Sequence, residues 1–332
     1  MNSLEFAQIA KNNMNKTFLL IITAIIIAIG GFFLFNQTKS QTDKPEVIAS
    51  FYPLYFFASE IAGDKLTVTN LTPSGVEPHD YEPTPQNIAK IYESKLLLIN
   101  GAGFEPWIEK LEQELTDKGV TIVNASESIA LTEGAHEDEH EEEAGHAEEE
   151  ELHEKEIFDP HVWLSPVLAK SQVAKITEGL TKIDPANKTY YEANAKTLTE
   201  RLDALDQKYQ SGLSSCQQKD FVTSHAAFAY LASEYHLTMT PIAGLSPEKE
   251  PSAQELAEVA AFAKDNNIKY IFFETLVSPK LSETIANEID AKTLVLDPLE
   301  GLSEDNSKQG KNYFTVMETN LGALQEALKC SK

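Results

Sequence analysis

The chain has 332 residues, 42% of them hydrophobic, which is enough for two ordinary domains with sizeable cores. Its formal net charge of −25 excludes nucleic acid as a natural partner and favours the handling of cations. Close to half of that charge comes from residues 133–156, where thirteen carboxylates and four histidines stand with a single lysine.

In chain order, residues 1–16 read as a cytoplasmic N-terminus, with Met14 as a second candidate start beside Met1. Thr17 to Phe35 is an uncharged apolar run of 19 residues, long enough to cross a bilayer as a helix. Lys11 and Lys16 precede it, which places the remainder of the chain outside. No small-x-small cleavage site follows it, and no cysteine lies nearby to accept a lipid. An uncleaved membrane anchor is the preferred reading, a cleaved signal peptide its rival, and residues 36–45 form a polar tether.

Strand patterns then recur at Val47–Ser50, Leu66–Leu71, Leu96–Asn100 and Thr121–Asn124. Helical patterns fall between them at Leu54–Ala62, Pro85–Glu93 and Pro106–Lys118. Such alternation predicts an α/β fold with a parallel sheet flanked by helices. The tract at 133–156 is too charged for any core and reads as a flexible excursion of this first lobe, residues 46–183. A helix over Pro166–Ile183 follows. Asp184-Pro185 then opens a second helix of nearly thirty residues, through 213, with few candidates for a hairpin partner. It reads as a rigid connector to a second lobe at 214–332. There, strands at Phe221–Ser224, Leu237–Pro241, Tyr270–Glu274 and Thr293–Leu296 alternate with helices at Ala226–Tyr235, Ser252–Asn266, Pro279–Ile289 and Tyr313–Leu328. Cys216 and Cys330 are the only cysteines, and outside the cytoplasm they are expected to pair.

Four histidines lie outside the acidic tract. His236 closes a helix and is assigned to capping. His79 follows the second strand, His161 precedes a helix in DPHVW, and His225 ends the strand DFVTSH; Asp297 ends TLVLDP. Ligands of open α/β sheets gather at the carboxyl ends of strands, and three of these four positions are there. Taken singly, a histidine at a strand end is a hydrogen-bonded structural residue and Asp297-Pro298 a turn; the joint pattern is what points to metal. Three neutral imidazoles and one carboxylate suit tetrahedral Zn²⁺ better than Mn²⁺ or Mg²⁺. Asp80, Asp159 and Glu274 are candidates to orient the imidazoles, and Glu274 is also an alternative ligand. His136, His140, His146 and His153 of the tract offer weak, exchangeable capture sites, in competition with protons.

The motifs GVEPHDYEPTPQ, DPHVWLSP, VTSHAAFAYLASEY, IFFET and LVLDPLEGL resemble the solute-binding proteins of metal ABC importers, most closely the zinc-specific, ZnuA-like branch. The likeness runs over about residues 45–330. It implies two α/β lobes joined by one long rigid helix, Zn²⁺ as bound cargo in the cleft between them, and no catalytic cofactor. By motif it carries the ligand role onto His79, His161 and His225, with Asp297 fourth. It also implies a permease and its ATPase as partners, an extracytoplasmic location, and a His- and acid-rich insert before DPH. Ser165 stands where the family often has aspartate, and the lipid-acceptor cysteine is missing. A zinc metallohydrolase is one alternative, although no HExxH pattern occurs; a surface metal store or adhesin without a transporter is the other.

Overall fold

The computed structural model describes residues 46–134, 157–248 and 250–331. The apolar run at 17–35 and the histidines at 136, 140, 146 and 153 lie outside them. Among the described residues no helix is long and apolar enough to cross a membrane. Residues Pro45–Lys332 form one compact unit.

Eight short strands make two parallel sheets. The first takes β1 (Glu46–Ala49), β2 (Thr67–Asn70), β3 (Leu96–Ile99) and β4 (Thr121–Asn124) in the order β2-β1-β3-β4. The second repeats that order as β6-β5-β7-β8, from β5 (Asp220–Thr223), β6 (Thr238–Pro241), β7 (Tyr270–Phe273) and β8 (Lys292–Val295). Every neighbouring pair is parallel. Because side chains alternate along a strand, each sheet has two apolar faces to cover. Val47 and Ala49 of β1 and Leu96 and Leu98 of β3 face a central cluster, while Ile48, Leu97 and Ile99 face an outer one. In the second sheet Phe221 and Phe272 join the central cluster, and Val222 and Ile271 the outer one.

The helices supply the covers. The outer face of the first sheet is closed by α2 (Pro85–Glu93) and α3 (Glu112–Asp117), that of the second by α7 (Ala253–Asp265) and α8 (Lys280–Glu288). Between the sheets run α1 (Tyr52–Ala62), α4 (Pro166–Ile183), α5 (Lys188–Leu213), the short α6 (Ala229–Glu234) and α10 (Tyr313–Ala327), whose apolar faces share the central cluster.

The structure departs from the sequence reading at several elements, and the helix expected over Ala226–Tyr235 divides into a 3-10 turn, Ala226–Phe228, and α6. The long helix α5 does have a hairpin partner, since α4 folds back against it across Asp184–Asn187 and α1 and α10 pack on it as well. Val173, Ile176 and Leu180 of α4 meet Leu198, Leu202 and Leu205 of α5 in the core, and Tyr191 donates to the Asp184 carboxylate at 2.5 Å. Residues 106–118 divide into a 3-10 turn, Pro106–Lys110, and α3, with Leu111 as the turn residue between them. A short α9 (Glu304–Lys308) was not expected, because its polar sequence carries no apolar period. The Cys216–Cys330 disulfide is formed, joining the segment after α5 to the end of α10.

Candidate metal centre

Parallel strands bring the loops at their carboxyl ends together, and the two sheets aim those ends at one place between them. His79 comes from the loop after β2. The Oδ1 atom of Asp159 holds His161, accepting from its backbone N at 2.9 Å and from its Nδ1 at 2.7 Å. Asn100 anchors the same turn by donating to the Pro160 carbonyl at 2.9 Å. His225 follows β5; the Thr223 hydroxyl donates to its carbonyl at 2.8 Å, and its Nδ1 donates to Glu274 Oε1 at 2.5 Å. Ser224 donates to that same carboxylate oxygen. Glu300 comes from the turn after β8.

These four residues converge. His161 Nε2 lies 3.2 Å from His79 Nε2 and 3.3 Å from His225 Nε2. Glu300 Oε1 stands 3.3 Å from His79 Nε2 and 3.2 Å from each of the other two. All four ligand atoms lie within 4.8 Å of one another, and a regular tetrahedron with the edge of these five distances would have its centre about 2.0 Å from every corner, the bond length of zinc to imidazole nitrogen and carboxylate oxygen. The chemistry agrees with the geometry. His161 and His225 have each committed Nδ1–H to a carboxylate, so in their neutral forms both Nε2 atoms are lone pairs facing each other. Only a proton or a cation between them relieves that repulsion. Glu300 Oε2 is also buried without a hydrogen-bond partner among the described residues.

Burial alone would lower the affinity of His161 for protons, but Asp159 and Glu300 outweigh it and raise the pKa. Glu274 and Glu300 likewise outweigh burial at His225 and raise it well above the ordinary value. For His79 burial wins and the pKa falls. Glu300 is held well below the usual carboxylate range, because His225, His161 and His79 outweigh its burial. Beside it, burial and the Glu300 charge push Glu77 up to about 9, so one of the two neighbouring carboxyls stays neutral. Phe104 and Trp163 wall the centre, with ring centres 4.7 Å from His79 and 5.2 Å from His161 respectively. The side chains of His161, His225 and Glu300 are wholly buried and that of His79 is 9% exposed, so the approach is along His79. A cavity of about 990 Å³ opens there, lined in part by Gly101, Phe104, Phe158 and Leu245.

Thus three of the four residues favoured from sequence are brought together and one is not. Asp297 is buried, but its carboxylate accepts from the Leu299 N–H at 2.9 Å and the Thr275 hydroxyl at 3.1 Å; burial pushes it up to about 6. The carboxylate in the cluster is Glu300, three residues on, in the same LDPLEGL turn. Sequence reasoning stopped at the acid nearest the strand end; the signal available was a second acid before Gly301. Of the expected orienting groups, Asp159 and Glu274 sit behind His161 and His225, Glu274 taking that place rather than a ligand's. Asp80 is exposed and hydrogen-bonds to none of the three imidazoles. His236 ends α6 in a left-handed backbone conformation, φ 56°.

Residues 47–327 match the ZnuA family, described as "Zinc-uptake complex component A periplasmic". The high-affinity zinc uptake system protein ZnuA of Bacillus subtilis is 44% identical over 304 residues, 92% of this chain and 94% of that protein. The zinc-binding lipoprotein AdcA of Streptococcus pneumoniae is 43% identical over 88% of this chain, which spans only 57% of that longer protein. Among solved structures, the Zn(II)-bound ZnuA-like domain of that AdcA superposes with a TM-score of 0.72 at 40% identity, covering 86% of this chain and 99% of the domain. The laminin-binding protein Lmb of Streptococcus agalactiae, described as bifunctional with adhesin and metal-transporting activity, gives 0.74 at 32% identity, covering 86% and 99%.

Proposed function

For this chain, which belongs to the ZnuA family of zinc-uptake components, we propose the role of an extracytoplasmic receptor that binds one Zn²⁺ tightly and delivers it to an ABC importer. The observation that carries this reading is the convergence of the His79, His161 and His225 Nε2 atoms with Glu300 Oε1, with five donor–donor distances of 3.2–3.3 Å and all four donors within 4.8 Å of one another. Zinc is cargo here and is held without being used in a reaction. Four protein donors close the coordination shell, whereas a catalytic zinc keeps a position open for water or substrate, so the hydrolase alternative is disfavoured.

The partners are a permease and its ATPase, with residues 17–35 as membrane anchor or removable signal and 184–213 as the connector between lobes 46–183 and 214–332. The histidines at 136, 140, 146 and 153 act as a low-affinity feeder. Its two flanks meet in an antiparallel bridge, Glu133 to Phe158, and Phe158 lines the cavity that reaches His79. The likeness to Lmb leaves adhesion to a host surface as a second activity of the same fold. The direct test is competition titration of Zn²⁺ with His161→Ala and His225→Ala. Each is expected to lose the tight site, and wild-type affinity in either variant would contradict the assignment.

A further inference from the structure

We propose that Asp297 and Asn320 are positioning residues that set Glu300 in the donor cluster before metal arrives, an inference that rests on the receptor reading above. Glu300 follows Leu299, whose φ of 57° lies in the left-handed region that a bulky residue adopts only when its surroundings hold it there. Asp297 does the holding. Its Oδ1 accepts from the Leu299 N–H at 2.9 Å, closing the turn, and its Oδ2 accepts from the Thr275 hydroxyl at 3.1 Å, tying the turn to the end of β7.

Asn320 of α10 then fixes the backbone of Asp297 itself. Its Oδ1 accepts from the Asp297 N–H at 3.0 Å and its Nδ2 donates to the Asp297 carbonyl at 2.7 Å. Trp163, two residues past His161, donates to the Pro298 carbonyl at 2.7 Å. Asp297 and Pro298 are therefore pinned from other parts of the fold, and Leu299 is pinned in turn by Asp297. Asp297 is 4% exposed and Asn320 1%, so no water competes for these bonds. A glutamate on a free loop would lose backbone and side-chain freedom on binding a cation; here that ordering is complete beforehand. Were Asp297 to turn to the metal, both of its bonds would break and the turn that presents Glu300 would open.

Zn²⁺ competition titrations and the visible spectrum of the Co²⁺-loaded full-length protein decide the matter. Asp297→Ala is expected to weaken zinc binding about 10–100-fold and to shift the Co²⁺ spectrum toward that of Glu300→Gln. Asp297→Asn, which keeps the acceptor for the Leu299 N–H, should restore affinity to within about threefold. In a Glu300→Gln background, Asp297→Ala should add less than about threefold, because there is no ligand left to position. Asn320→Ala should follow the same pattern. If Asp297→Ala fails to fold, Thr275→Val reads the same cycle with one hydroxyl removed. Equal losses in both backgrounds, or an Asn variant as weak as the Ala variant, would overturn the proposal. A wild-type chain that binds no tight Zn²⁺ would instead overturn the receptor reading.

Discussion

His161 and His225 face each other across 3.3 Å with their far nitrogens already bonded to Asp159 and Glu274. In the metal-free protein Asp159 and Glu300 at His161, and Glu274 and Glu300 at His225, raise the proton affinity of both groups above the ordinary histidine value of 6.5 despite complete burial. Zinc needs the neutral imidazoles, so binding must expel those protons. The sign follows: affinity rises with pH, and falls as pH drops through the raised range of His161 and His225, beginning above 6.5. His79, lowered by burial, adds no such penalty near neutrality. Calorimetry at neutral pH in buffers of different ionisation enthalpy should register net proton release; binding with no proton release would contradict this electrostatic picture. At this scale the sequence was legible for the histidines, because few occur outside the tract and each sits beside a strand end or turn. It was not legible for the carboxylate. Asp297 and Glu300 lie in one turn, and which of them points inward depends on the left-handed Leu299, a backbone state no side-chain pattern announces.

The strands of both sheets could be read to within one residue at either end, because apolar runs such as LLLI in β3 are buried on both faces. Starts of helices were equally legible where a cap announces them, as with Ser252 ahead of α7 and Glu255 in its first turn. What the sequence concealed was the pairing of α4 with α5. Both helices carry apolar stripes, but only the short turn bracketed by Asp184 makes them neighbours, and a long amphipathic helix alone reads equally well as a free connector. The Cys216–Cys330 bond belongs to this scale too, tying the exit of α5 to the end of α10 over a sequence separation of 114. Closing so long a loop restricts the unfolded chain, so replacing both cysteines by alanine should cost about 2–5 kcal/mol in urea unfolding. The tight zinc equivalent should survive in the same variant, since neither cysteine is among the four donors of the cluster. Unchanged stability would mean that the crosslink contributes nothing.

For the whole molecule, two sheets of the same strand order meet through a common helical layer, and the donor cluster draws His79 from the first sheet's loops and His225 and Glu300 from the second's. Stitches cross between the halves close to the site. Ser74 and the Gly75 N–H both donate to the Leu302 carbonyl, at 2.6 and 3.0 Å, and Tyr313 donates to the Trp163 carbonyl at 2.6 Å. Zinc binding should therefore report on the union of the two halves, and Zn²⁺ should raise the unfolding temperature of the whole unit in one transition. Replacing residues 135–156 by a short glycine-serine linker should remove weak equivalents and leave one tight zinc; loss of the tight site would contradict the division of labour between feeder and centre. The most direct measurement is a crystal structure of the zinc form with anomalous data at the zinc edge. The expected result is one strong peak about 2.0–2.1 Å from the Nε2 atoms of His79, His161 and His225 and from Glu300 Oε1. A principal peak bound by Asp297 in place of Glu300, or lying away from these histidines, would contradict it.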